Sequence, residues 1–145
     1  MRNDFSAVAC VKGNREAPNI SGVVRFFQKN DGVLVEAKIS GLPKYNKTGF
    51  FAMHIHEGGS CGGIDFSETK GHYNPDDLPH PYHAGDLPPL LSFSGSAYMA
   101  VMTNRFTVRD ILGKSVVIHS EPDDFYSQPS GDSGEKIACG VIKRR

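Results

Sequence analysis

The chain has 145 residues, 16 basic and 16 acidic, for a formal net charge of +0, which indicates neither a nucleic-acid groove nor a membrane-surface binder. The length suits a single domain, read as residues 1–145, with enough chain to bury a core. Glycine (16) and proline (9) are plentiful and tryptophan is absent, which favours short strands and turns over long helices, and no apolar run is long enough for a transmembrane helix.

The N-terminus, Met1-Arg2-Asn3-Asp4, enters a strand-like stretch without the apolar region of a signal peptide. The chain is therefore cytoplasmic as read, and exported or periplasmic if a leader was removed. Phe5–Lys12 reads as a first strand ended by Gly13-Asn14, with Cys10 as a small buried hydrophobe. Ile20–Gln28 reads as a second strand, and Asn30-Asp31-Gly32 is a strong hairpin turn. Val33–Ile39 alternates, with Val33, Val35, Ala37 and Ile39 on one face and Leu34, Glu36 and Lys38 on the other. Phe50–Glu57 is the fourth strand.

Regular pattern then stops from Gly58 to about Gly95. So long an irregular stretch in a small domain argues for a functional loop. Strands resume at Ser96–Met102 and Phe106–Val108, with a turn at Asp110–Gly113. In Ser115–His119 the apolar run Val116-Val117-Ile118 does not alternate, as in a strand buried on both faces. Ser120–Glu135 is a second long loop, and Ile137–Ile142 closes the chain. Seven or eight short strands with turn signals read as an all-β sandwich or Greek-key barrel.

The six histidines are not scattered. All but His119 fall between His54 and His83. Imidazole is the commonest side-chain metal ligand. His54 and His56 are two apart on a strand, so their side chains share a face, with Cβ atoms roughly 6.6 Å apart at ~3.3 Å rise per residue. His80, His83 and Asp86 follow at three-residue intervals and form a compact N,N,O set. Zinc prefers four such ligands, and His72 is the nearest candidate for the fourth. His54, His56 and His119 also want a fourth partner, and four imidazoles in a distorted square suit copper. His72 serves both metals if it loses both ring protons. The three cysteines, Cys10, Cys61 and Cys139, allow one disulfide, which Cys61 and Cys139 could form, or three reduced thiols.

His54-Ile55-His56-Glu57, Gly71-His72-Tyr73-Asn74-Pro75, His83-Ala84-Gly85-Asp86-Leu87, Val117-Ile118-His119 with Asp123-Asp124, and Ile137-Ala138-Cys139-Gly140-Val141-Ile142 together resemble the copper/zinc superoxide dismutase family. They stand in the family's order from about Gly49 to the end. The resemblance implies an eight-stranded antiparallel Greek-key β-barrel of the immunoglobulin-like sandwich type, with two long loops forming the metal site. It implies copper held by His54, His56, His72 and His119, and zinc held by His72, His80, His83 and Asp86. Asp123 matches the carboxylate that hydrogen-bonds one ligand of each metal, His54 and His80. Cys61 and Cys139 match the family disulfide.

The implied activity is dismutation of superoxide anion to dioxygen and hydrogen peroxide by copper redox cycling, with zinc-bridged His72 as a catalytic group. A superoxide-dismutase-like domain that binds or delivers metal without catalysis is the alternative. Two positions depart from the family. Only two residues separate His80 and His83, where the family has a longer spacer, which bears on zinc geometry and affinity. Lys136 stands where the family has an arginine beside the copper channel. It keeps the charge of this second catalytic group but loses the planar fork. The barrel strands leave a homodimer open.

Overall fold

The computed structural model describes residues 5–145. The reading of the N-terminus rests on Met1–Asp4, which lie outside the described residues. Strands β1 (Ser6–Gly13), β2 (Ser21–Gln28) and β3 (Val33–Ser40) form an antiparallel meander. Gln28 pairs with Val33 across the Asn30-Asp31-Gly32 turn. Val33, Val35, Ala37 and Ile39 are all buried, so the alternation seen in the sequence sets the inner face of β3.

The strand expected at Phe50–Glu57 is broken at Ala52 into β4 (Phe50–Phe51) and β5 (Met53–His56). Ala52 points its backbone elsewhere: its N–H donates to Glu121 O and its carbonyl accepts from His119 N–H. The first long loop holds a short 3-10 segment, Ile64–Thr69, and ends in β6 (Leu90–Leu91), two residues that pair with β4. Then come β7 (Ala97–Thr103), β8 (Ser115–His119) and β9 (Lys136–Arg144).

Seven strands form one curled antiparallel sheet in the order β5-β8-β9-β1-β2-β3-β7, and β4-β6 form a second, two-stranded sheet. The chain leaves β7 at one edge and returns in β8 between β5 and β9. That crossing is the Greek-key feature of the barrel. The core is packed by Phe26, Phe51, Ile55, Leu90, Ile111, Ile118, Ile137 and Ile142, all fully or nearly fully buried. All five residues of β8 are buried, as its unbroken apolar run requires.

Two readings need correction. Phe106–Val108 is not a strand: Val108–Ile111 is a one-turn helix, α1, which also takes in part of the expected turn. Thr107 caps it, accepting from Asp110 N–H while the Asp110 side chain accepts from Thr107 N–H. Cys10 is a free thiol exposed on the outer face of β1, not a buried hydrophobe. Ala7, Ala9 and Val11 take the inner positions. Every residue from Ala7 to Val11 is small or apolar, so alternation alone does not say which parity faces in.

Candidate metal centre

β5 carries His54 and His56, and its two edges have different partners. One edge pairs with β8, setting His54 opposite Val117 and Met53 opposite Ile118. The other edge is taken by the first long loop. Ile55 N–H donates to Gly85 O at 2.8 Å, Tyr73 N–H to Ile55 O at 2.8 Å, and Glu57 N–H to Gly71 O at 2.9 Å. The loop is therefore pinned to the strand as an irregular neighbour, and the bridges His56–His72 and His54–Asp86 set those pairs side by side. His119 closes the group from the end of β8. The ladder between β8 and β9 shifts register between Ile118 and His119, a bulge of the kind that re-aims a side chain at a strand end.

All six histidines lie in one cluster. One ring nitrogen from each of His54, His56, His72 and His119 lies within 4.8 Å of the others. His54, His72, His80 and Asp86 converge within the same limit. His83 joins this second group through its Nδ1, 3.1 Å from His72 Nδ1 and 3.2 Å from Asp86 Oδ2. His72 stands between the groups, and its Nδ1 lies 2.8 Å from Asp86 Oδ1. The two groups thus share His54 as well as His72, closer together than the sequence reading supposes.

Among the described residues four buried ring nitrogens have no hydrogen-bond partner: His54 Nδ1, His72 Nε2, His80 Nδ1 and His119 Nδ1. His80 Nδ1 is 3.0 Å from Asp86 Oδ2 but not aligned for a hydrogen bond. Orphaned buried acceptors are costly in a native protein. A set of them facing nitrogen and carboxylate neighbours is what a divalent metal satisfies, so the donor set fits two such ions.

Burial disfavours imidazolium at four of the histidines. His54 and His56 are held well below the ordinary histidine value, first by desolvation and then by the neighbouring imidazoles. Desolvation and His72 bring His119 down to about 3. Burial also lowers His83. Burial pushes Asp86 up, but the His72 hydrogen bond and nearby imidazoles outweigh it and hold the carboxyl below its usual range. These four rings favour the neutral form, which is the form that binds metal.

Asp123, from the second long loop, joins both groups from behind. Its Oδ2 is 2.8 Å from His54 Nε2 and its Oδ1 is 2.8 Å from His80 Nε2. Each ring then presents Nδ1 to the interior. His56 is oriented by the backbone: its Nδ1 meets Lys70 O at 2.8 Å. Gly131 packs against the Asp123–His80 pair at φ +74, where an added Cβ would fall 2.0 Å from Asp123 Oδ1. Lys136 lies opposite His119 on β9, and its Nζ donates to Thr69 Oγ1 at 2.8 Å and to Lys70 O at 3.0 Å. Burial lowers its pKa. The Cys61–Cys139 disulfide ties the first loop to β9, with Cα atoms 5.9 Å apart.

Sequence reasoning missed several of these partners. The Lys70 carbonyl carries no side-chain signal. Thr69 ends the short 3-10 segment and Gly131 sits in the second loop, both in stretches without periodicity. Only the glycine's residue type hinted at a constrained backbone position.

The family model described as copper/zinc superoxide dismutase matches residues 20–142. A superoxide dismutase [Cu-Zn] of Aquifex aeolicus is 36% identical over 137 residues, covering 84% of this chain and 79% of its own. That of Caulobacter vibrioides is 34% identical, covering 95% and 86%. A solved structure of a double mutant of a SOD-like protein from Bacillus subtilis superposes with a TM-score of 0.78 at 28% identity, covering 94% of this chain and 96% of that one. A curled Greek-key sheet, a buried cluster of six histidines at its edge, and matches that span most of the sequence agree: this chain belongs to the copper/zinc superoxide dismutase family.

Proposed function

We propose that this protein is a superoxide dismutase, converting two superoxide anions and two protons to dioxygen and hydrogen peroxide. In this reading His54, His56, His72 and His119 hold copper, and His72, His80, His83 and Asp86 hold zinc. His54 falls geometrically in both groups, but Asp123 occupies its Nε2, so Nδ1 is its one lone pair for a metal. His83 supplies the ligand that the second group then needs. Copper bound at the first group supplies a one-electron couple able to oxidise one superoxide and reduce another, while zinc supplies a fixed positive charge.

The observation that carries this reading is the placement of His72. Its Nδ1 faces Asp86 and His83, and its Nε2 is buried without a partner beside the rings of His54 and His56. Nε2 is therefore the atom at which a proton is held and then released to the reduced product. Asp123 keeps His54 and His80 in register with His72. Lys136 supplies the cation that draws the anion in. Two of its donors are spent on Thr69 and Lys70, leaving the third for substrate.

The alternative, a superoxide-dismutase-like domain without catalysis, shares this fold, and fold alone does not decide activity. The complete histidine set and the channel-side cation favour the enzyme. The pairing of β1 with β9, which joins the two ends of the described chain, supports a single domain. The disulfide supports an oxidising compartment such as the periplasm. Among the described residues no helix is long and apolar enough to cross a membrane.

Metal analysis and superoxide decay on one purified sample test the proposal. The expected result is one copper and one zinc per chain with dismutase activity. His119→Ala should lose copper before zinc, and His80→Ala the reverse. A copper-loaded protein that leaves superoxide decay at its spontaneous rate overturns the enzyme reading.

A further inference from the structure

The turn that carries His80 and His83 belongs to no strand or helix, yet its backbone is held at both ends by side chains from elsewhere. Gln128 in the second loop grips His80 both ways. Its Oε1 accepts from His80 N–H at 2.8 Å, and its Nε2 donates to His80 O at 2.7 Å. A carboxamide can donate and accept at once, so Gln128 serves His80 as a neighbouring strand would. The same Nε2 donates to Tyr126 O at 3.0 Å, which steadies the side chain on its own loop. At the other end, Arg105 Nη1 donates to Pro81 O at 2.8 Å and to His83 O at 3.2 Å. Asp86 Oδ2 accepts from His83 N–H at 3.0 Å.

His80 is thereby fixed twice by one loop. Asp123 holds its ring through Nε2, and Gln128 holds its peptide groups. What remains is Nδ1, buried, without a hydrogen-bond partner, and beside Asp86 Oδ2. Gln128 is itself exposed, but the bonds close over a residue that is only 2% exposed. Two residues separate His80 from His83, so the turn has little slack with which to bring both rings to one ion. A turn without ladder bonds of its own keeps such a geometry only if something outside it sets the backbone.

We propose that Gln128 is a positioning residue for the zinc ligand His80, with Arg105 holding the far end of the same turn. The inference rests on the zinc assignment made above. Groups that orient ligands from behind typically change metal affinity 10–100-fold when removed. The bland alternative is an ordinary tie between two loops, which would affect folding and zinc alike.

The test uses the full chain, stripped of metal and reloaded. Zinc affinity and release are followed by competition with a chromophoric chelator, and Co(II) put in place of zinc reports site geometry through its visible d–d bands. Gln128→Met keeps the length and loses both bonds. It should release zinc about tenfold faster or more and alter the cobalt bands, with copper affinity and the melting temperature of the metal-free protein unchanged. Gln128→Glu keeps the acceptor for His80 N–H and loses the donor, so it should fall between wild type and Gln128→Met. His83→Ala is the control for the site itself. If His83→Ala loses zinc while Gln128→Met binds and releases it as wild type does, the positioning role is overturned and the zinc assignment stands. If zinc loss in Gln128→Met is matched by a lower metal-free melting temperature and an unchanged cobalt spectrum, the residue only ties loops and the role is overturned. If His83→Ala keeps wild-type zinc affinity, the zinc assignment falls, and the positioning role with it.

Discussion

Lys136 Nζ donates to Thr69 Oγ1 at 2.8 Å, joining the start of β9 to the first long loop beside the histidine cluster. Thr69 is fully buried, and its own hydroxyl proton goes to Phe66 O at 2.7 Å, so a lone pair faces the ammonium. Lys70 O accepts from the same ammonium and also meets His56 Nδ1. The cation and the His56 ring are thus indexed to a single peptide group.

From this arrangement, Lys136→Glu should lower the second-order rate with superoxide by about tenfold or more while copper is retained, at the low end of what electrostatic steering supplies. Lys136→Arg should hold or raise the rate, because a guanidinium reaches both anchors and keeps donors to spare. Raising salt should slow the wild type, as the Debye length shrinks from ~10 Å at 0.1 M to ~3 Å at 1 M. Pulse radiolysis at graded ionic strength checks all three. Full activity of Lys136→Glu at low salt would place the guiding charge elsewhere.

Gly131→Ala should be far more disruptive than a loop glycine suggests. Its φ of +74 disfavours any side chain, and the new Cβ would lie 2.0 Å from Asp123 Oδ1 and 2.7 Å from His80 Nε2. Either the loop or the Asp123–His80 pair must shift. Strain of this kind costs about 1–3 kcal/mol, and the displaced carboxylate should weaken binding of both metals. Denaturant melts with metal titrations check this, and an unperturbed variant would show that the loop moves freely.

Thiol counting under denaturing, non-reducing conditions should find one thiol per chain, Cys10, because Cys61 and Cys139 are bridged. The bridge spans a sequence separation of 78. In the chain-entropy model a loop of that size constrains the unfolded state by roughly 4–5 kcal/mol. Cys139→Ser should therefore lower stability by up to that amount and loosen the loop that carries Thr69 and Lys70. Wild-type stability in Cys139→Ser would refute the contribution.

The metal-free protein should lose stability as pH falls below about 6.5, the value for a histidine in an unfolded chain. Burial holds His54, His56 and His119 below that value, His119 down to about 3. Between those limits the unfolded chain binds protons that the native protein refuses, so stability rises with pH there and levels off above about 7. Each such histidine contributes about 1.4 kcal/mol per pH unit across this window. Urea titrations of metal-free protein at pH 5, 6, 7 and 8 measure the slope. Equal stability at pH 5 and 7 would mean that the native cluster takes up protons freely.

The sequence by itself determined the strands whose pattern is periodic or unbroken. Val33 to Ile39 could place its apolar set inward in only one way, and the Val116-Val117-Ile118 run could sit only in a strand covered on both faces. It also determined the donor chemistry, because six histidines on two strands and one long loop leave few other uses. Short or mixed segments were not legible. β6 is two residues long, too short for any period, and Ala7 to Val11 offers apolar side chains to both faces, so the outward turn of Cys10 waited on the sheet. The Thr107–Asp110 capping pair that starts α1 lies where Phe106 to Val108 reads as strand-like, and no helical period accompanies a single turn. Only the tertiary structure decided which loop groups meet: Gln128 at the His80 backbone, Thr69 at Lys136, and one Lys70 carbonyl shared by Lys136 and His56. The reason is physical. A periodic strand carries its facing in its own residues, whereas a loop is placed by long-range hydrogen bonds, many of them to backbone carbonyls that every residue possesses and no side chain identifies.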